Sequence, residues 1–194
     1  MRARVGLLTS VERSCADRRI CGHLANLADE LGVVSVLAYL ALPDEVNVDE
    51  FLAAMVERGR ETLLPRVVGS GSLYYGGWRP SLKLSRDDVG VLAPESASLE
   101  DRSLGVGLVV VPGRAFDKLG GRIGRGRGYY DRLLSVGGVR RLAVGVAYEC
   151  QVVERVPREE HDRDVDCLVT EMGLRRCGGG TEGRGVRQRP GDGE

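Results

Sequence analysis

The chain has 194 residues, enough for one domain with a real core and a short tail. Lys plus Arg and Asp plus Glu each number 28, so the formal net charge is zero, which excludes a global pull toward nucleic acid or anionic membrane. There is no secretory n-region and h-region at the start and no apolar run of bilayer length, and the five cysteines lack CxxC spacing; a cytoplasmic protein with cysteines as small core residues is predicted, without a disulfide frame or zinc site.

Residues 9–31 predict a helix: Thr9 or Ser10 can cap it, and Ile20, Leu24, Leu27 and Leu31 recur on one face before Gly32. Val33 to Leu40 is a β-branched apolar run, expected as a strand buried on both faces. Asn47 and Glu50 form a capping pair for a second helix carrying Phe51, Leu52, Met55 and Val56 and stopping at Gly59. Thr62 to Leu64 predicts a short strand ending at Pro65. The Gly-, Ser- and Pro-rich stretch from Gly69 to Ser98 leaves room for short strands at Leu73–Tyr75 and Leu82–Leu84. A strand over 106–111, a helix over 129–135, a strand over 141–147 and a last strand at Cys167–Thr170 follow.

Strands and helices alternate, so a single-domain α/β fold with an open, mostly parallel sheet flanked by helices is expected over residues 1–176. Ligands in such sheets sit beyond the carboxyl ends of the strands. The loops after Leu40, Leu64 and Val111 are placed there. Residues 177–194 have almost no apolar content and are expected as a disordered Gly/Arg-rich tail.

The segment after Val111 carries most of the chemistry. Gly120, Gly121, Gly124, Gly126 and Gly128 alternate with Arg122, Arg125 and Arg127, and the chain then enters Tyr129-Tyr130-Asp131. Strand, glycine loop and helix start let backbone N–H groups approach phosphate oxygens, and arginines add forked donors. The spacing fits neither a Walker loop nor a dinucleotide fingerprint. A surface turn made mobile by glycine would need neither the arginines nor the tyrosine pair. A carboxylate in a first helical turn ordinarily complements the dipole, but Asp131 would repel phosphates bound there. A bridging magnesium removes the conflict, and a second carboxylate is expected from Glu160-His161-Asp162.

Residues 111–134 closely resemble the signature of the 5-formyltetrahydrofolate cyclo-ligases, VPGxAFDxxGxRLGxGxGYYDxxL, with Ile123 in place of leucine. Tyr39 to Val46 resembles the family's YxSxxxEV block, Gly59 to Arg66 its GKxxxLPR block and Gly145 to Gln151 its GxAYxxQ segment. Glu160 to Glu171 is similar to its EHDxxVDxxVTE ending. The resemblance implies a fold shared with sugar-phosphate isomerases and coenzyme A transferases. It implies conversion of 5-formyltetrahydrofolate and ATP, with magnesium as cofactor, to 5,10-methenyltetrahydrofolate, ADP and phosphate. A monomer acting without nucleic acid or membrane is expected. In the family scheme the formyl oxygen attacks the terminal phosphate, nitrogen 10 closes the ring, and phosphate leaves.

Carried over by matched position, Arg122, Ile123, Gly124, Arg125, Gly126, Arg127, Gly128, Tyr129 and Tyr130 would bind ATP. Arg125 to Tyr129 would also face the folate, with Arg125 and Tyr129 as the catalytic pair. Leu40 and Glu45 would line the pterin side, Glu45 accepting from pterin N–H groups, and Asp131 and Asp162 would hold magnesium. Three departures stand out. The family's basic KxxLR element has no counterpart before Met1-Arg2-Ala3-Arg4, so three readings stand: a start codon assigned too late, substitution by Arg2 or Arg4, or weak ATP binding. Ala93 replaces the glutamate of a GIxEP block, and the arginine-glycine tail lies outside the pattern. The alternative is a weak or inactive protein of this fold with an RNA-binding or regulatory role, which low aromatic content, zero net charge and retention of both carboxylates oppose. A different sugar-phosphate enzyme on the same fold would not need the Tyr129-Tyr130-Asp131 ending or Glu45.

Overall fold

The computed structural model describes residues 2–69, 72–96, 105–135, 141–159 and 161–178; the expectations for Glu160, for the tail beyond Gly178 and for part of the 69–98 stretch lie outside them. A short helix α1 (Arg2–Gly6) leads to α2 (Ser10–Glu30), which starts as predicted. Thr9 caps it in a reciprocal box with Glu12: the Glu12 N–H donates to Thr9 Oγ1 at 3.2 Å and the Thr9 N–H to Glu12 Oε2 at 2.8 Å. Ile20, Leu24 and Leu27 are buried, whereas Leu31 is the C-cap and exposed, because the chain turns away at Gly32 with φ 58°.

The strand expected over Val33–Leu40 is shorter, β1 (Ser35–Leu37), although Ala38 and Tyr39 are buried. Burial alone does not make a strand; the Ala38 N–H still donates to Leu63 O at 3.0 Å, and beyond it the backbone leaves the sheet as a loop. In α3 (Asp49–Glu57) the cap is Val48, without a side-chain bond of its own; Asn47 Oδ1 instead accepts from the Asp49 N–H at 2.8 Å. Phe51, Leu52 and Met55 are buried as expected. β2 (Glu61–Val68) runs through Pro65, where a stop was expected. β1 pairs only with residues 61–63, so from Leu64 onward β2 has a partner on one side and tolerates a residue without an N–H. The partner is β3 (Ser72–Gly77), followed by a hairpin of β4 (Leu84–Arg86) and β5 (Leu92–Pro94). Ala93, at the departure from the family pattern, is fully buried in β5.

The strand β6 (Leu108–Pro112) enters the glycine segment, which contains two strands missed from the sequence, β7 (Ala115–Asp117) and β8 (Arg122–Ile123). Helix α4 (Tyr129–Ser135), β9 (Leu142–Val146), a 3₁₀ turn (Glu149–Gln151), β10 (Val152–Val153), β11 (Cys167–Thr170) and β12 (Gly173–Arg176) complete the chain. Seven strands form one sheet in the order β12-β11-β9-β6-β1-β2-β3, parallel except at its two edges. Its strands alternate between two cores: Leu108 and Val110 pack under α2 and α3, while Val109 and Val111 face Phe116 and Leu133. Central parallel strands buried on both faces need this near-continuous apolar sequence. Cys177 donates its N–H to Asp166 O at 3.0 Å, so the folded unit reaches past residue 176. Cys21 and Cys167 are buried as expected, but Cys15 is exposed.

Phe116, fully buried, lies between two glycines: a Cβ on Gly113 or Gly145 would come within 2.6 Å of its ring. Gly145→Ala should therefore lower the unfolding free energy by about 1–3 kcal/mol through overpacking. Denaturant unfolding would read it, and an unchanged midpoint would mean that the ring shifts freely.

Candidate active site

The loop between β1 and α3 folds on itself. Tyr39 donates its hydroxyl to Val46 O at 3.0 Å, and the Leu42 N–H donates to Glu45 Oε2 at 3.0 Å. These bonds turn Glu45 inward, leaving 11% of its side chain exposed. Leu40 is half-buried against the α2 side of the core.

The glycine segment is ordered by Asp117, which is fully buried at the end of β7. Its Oδ1 accepts from the Leu119 and Gly121 N–H groups, both at 2.9 Å, and its Oδ2 accepts from the Val156 N–H at 3.1 Å. Burial pushes the Asp117 carboxyl up, but those N–H donors and Arg158 outweigh it and hold the group below its ordinary value. Gln151, also buried, donates to the carbonyls of Gly113 and Arg114 at 3.2 and 3.1 Å. Farther on, Gly126 and Gly128 adopt φ of 78° and 63°, a conformation that side chains resist.

Two arginines of the segment reach carboxylates. Arg122 Nη2 donates to both oxygens of Asp131 at 3.0 Å, with only 7% and 14% of the two side chains exposed. The Arg122 guanidinium also lies 5.7 Å from the centre of the Tyr130 ring. Asp131 Oδ1 further accepts from the Arg163 N–H at 3.3 Å, which brings the residue next to Asp162 alongside Asp131. Asp162 itself accepts from the Glu159 N–H at 2.8 Å. Arg125 crosses to the β1 loop, donating from Nε to Glu45 Oε1 at 3.0 Å and from Nη2 to Asp44. Burial opposes the Arg125 charge, but Asp44 and Glu45 outweigh it and raise its pKa. Burial, reinforced by the Glu45 charge, raises the Tyr130 phenol.

An open cleft of about 490 Å³ lies beside these pairs, lined by Gly126, Arg127, Gly128, Asp131, Arg132, Ser135 and His161. Arg127 is exposed and makes no ion pair among the described residues, so its guanidinium is available to an anion. Tyr129 is half-buried under the Arg132 guanidinium, 5.1 Å from its ring centre, whereas Ile123 and Gly124 are not among the cleft-lining residues. Helix α4 has seven residues, too short for its dipole to hold a phosphate alone. Arg4 Nη1 donates to Cys150 O at 3.5 Å, away from the cleft-lining residues.

The structure thus brings together Glu45 and Arg125, 80 positions apart in the sequence, and Asp131 beside the Asp162 segment. It adds Asp44, Asp117 and Arg163, which the sequence reading did not single out. Asp117 left a signal, an apolar Ala115-Phe116 before a carboxylate and then glycines. Among the described residues no group of three or more His, Cys, Asp or Glu side chains could hold a metal. Two carboxylates with phosphate oxygens are nevertheless an ordinary magnesium set. Asp131 and the segment carrying Asp162 come together through the Arg163 N–H, a juxtaposition of two carboxylates and not a closed cage for a free cation.

A model of the 5-formyltetrahydrofolate cyclo-ligase family matches residues 1–171. The 5-formyltetrahydrofolate cyclo-ligase of Haemophilus influenzae is 25% identical, over 80% of this chain and 85% of its own length. That of Saccharomyces cerevisiae is 32% identical, over 75% and 76%. The NMR structure of the 5,10-methenyltetrahydrofolate synthetase of Aquifex aeolicus superposes with a TM-score of 0.75 at 33% identity, covering 96% of this chain and 91% of that one. The Mycoplasma pneumoniae synthetase shares the fold at a TM-score of 0.67 and 21% identity, over 87% and 92%.

Proposed function

Because the chain belongs to the 5-formyltetrahydrofolate cyclo-ligase family, we propose that its cleft closes 5-formyltetrahydrofolate to 5,10-methenyltetrahydrofolate at the expense of ATP. The observation that carries this reading is the Arg125–Glu45 contact, which joins the phosphate-type loop to the pterin-type loop. An amide oxygen is a poor nucleophile and hydroxide a poor leaving group, so the formyl group needs phosphorylation. The formyl oxygen forms a bond to the terminal phosphorus as the bond to ADP breaks. Nitrogen 10 then attacks the formyl carbon, loses its proton, and the carbon–oxygen bond to phosphate breaks.

The protein's part is positioning and charge neutralisation. Arg127 and the backbone of Gly126 and Gly128 hold the phosphates in the cleft. Arg125, anchored by Asp44, stands between the two substrates, and Tyr129 closes the side over Arg132. Glu45 accepts from the pterin N–H groups, with Leu40 beside it. Asp131 and Asp162 would hold magnesium, which supplies charge neutralisation on the transferred phosphoryl group. Arg122 keeps Asp131 aimed and its charge balanced. Nothing favours RNA binding: Arg122 and Arg125 are committed to carboxylates. Among the described residues no helix is long and apolar enough to cross a membrane.

Incubation with 5-formyltetrahydrofolate, ATP and magnesium should give the near-ultraviolet absorbance of the methenyl product; its absence would overturn the assignment. Glu45→Gln should raise KM for 5-formyltetrahydrofolate about tenfold, the loss of about 1.5 kcal/mol from a charged hydrogen bond, and leave KM for ATP within about twofold. Equal rises in both constants would remove Glu45 from the pterin side.

A further inference from the structure

Arg13 and Asp17 lie four residues apart on α2, one turn, and therefore on one face. Both reach the loop that carries Glu45. Arg13 Nη2 donates to Pro43 O at 2.7 Å and, more weakly, to Glu45 O at 3.5 Å. The Asn47 N–H donates to Asp17 Oδ1 at 3.2 Å. Between them stands the hydroxyl of Tyr148, which donates to Asp17 Oδ1 at 2.7 Å and accepts from Arg13 Nε at 3.4 Å. The Tyr148 ring is fully buried just beyond β9, and the Arg13 guanidinium lies 5.7 Å from its centre.

The loop backbone is thus pinned at Pro43 and at Asn47, and Glu45 lies between the pins. Among the described residues its carboxylate accepts from two donors, of which Leu42 belongs to the same loop and Arg125 to the glycine segment that faces the nucleotide. The orientation of that carboxylate is consequently set by the backbone pinned at Pro43 and Asn47, with the Tyr39 bond to Val46 O between them. A network needed only to attach α2 to the sheet would have no reason to end on those two backbone groups.

We infer that Arg13, Asp17 and Tyr148 are positioning residues that aim Glu45 at the folate, tuning folate recognition without touching it. The inference rests on the proposed role of Glu45 as the folate acceptor. A misplacement of about 1 Å at a site can cost about a hundredfold, so small losses in this clamp are readable in the kinetics.

The test is steady-state kinetics with each substrate varied separately, on the wild type, Tyr148→Phe, Arg13→Lys, Glu45→Gln and the double variant Tyr148→Phe/Glu45→Gln. Arg60→Gln is the control, since Arg60 ties α2 to β2 through Asp29 and not to the loop. Tyr148→Phe keeps the ring, and should raise KM for 5-formyltetrahydrofolate about three- to tenfold while KM for ATP stays within about twofold. Arg13→Lys should act in the same direction. On the Glu45→Gln background, Tyr148→Phe should add nothing, because the group it aims is gone. Arg60→Gln should shift the melting temperature and neither KM. The inference is overturned if Tyr148→Phe moves both constants alike, leaves both unchanged, or keeps its full effect without Glu45. Should the wild type make no methenyl product, the proposed function fails by itself, and equilibrium dialysis of 5-formyltetrahydrofolate against the same variants decides the clamp. No binding by the wild type overturns both.

Discussion

Asp131→Asn should lower cyclisation at least about a hundredfold, the usual scale for losing one preorganised charge-stabilising group at a reacting centre. Three observations converge on this residue. Its carboxylate is mostly buried, it faces the cleft, and it is held by Arg122 and by the Arg163 N–H beside Asp162. The amide keeps one acceptor oxygen but loses the negative charge, so it cannot balance Arg122 and a bound cation together. The magnesium concentration for half-maximal activity should rise, and the affinity for ATP measured with magnesium should fall in step. Stability should drop by only about 1–3 kcal/mol, the cost of an imperfectly paired buried group, so the variant should fold. Asp162→Asn should act in the same direction. Unchanged turnover of Asp131→Asn at limiting magnesium would remove Asp131 from the site.

The residues legible in the sequence were those whose role is local. The Thr9 cap, the face of α2 carrying Ile20, Leu24 and Leu27, and the run Leu108–Val111 each carry their structural reason within a few positions, and each forms as expected. What failed was set by distant neighbours. Pro65 reads as a strand end, yet β2 continues through it because only β3 lies alongside there. Val33 to Leu40 reads as one long strand, but residues 39–48 are drawn out of the sheet by bonds to Arg13, Asp17 and Tyr39. The glycine motif pointed to a phosphate loop and to Asp131. It could not show that Arg125 would be occupied by carboxylates, since Asp44 and Glu45 lie about eighty positions upstream. The short strands β7 and β8 were likewise hidden, because glycine and arginine obscure any period-two pattern.

Asp117 shows how such a loop is held, and its replacement should have the largest effect on stability. One fully buried carboxylate accepts three backbone N–H groups, from Leu119, Gly121 and Val156. In Asp117→Asn the amide oxygen can serve Leu119 and Gly121, but the amide nitrogen then faces the Val156 N–H, donor against donor. The Arg158 guanidinium also loses one of its two carboxylate partners, keeping Asp164. A cost of about 3–5 kcal/mol is expected near neutral pH, as for breaking a buried charged network. The pH dependence gives a second, independent check. The folded carboxyl titrates below its unfolded value, so its stabilising contribution is complete above the unfolded pKa of about 3.9 and is lost as pH falls through the folded pKa. The wild type should therefore lose stability on acidification in that window, while Asp117→Asn has no such contribution to lose there. The gap between the two denaturation midpoints should close as pH falls. Because β7 and β8 carry the chain directly to Arg122, activity should fall with stability in the variant at neutral pH. A gap that stays constant down through the acid window would show that Asp117 is neutral in the folded protein, and that the loop is held by its glycines and by Gln151 instead.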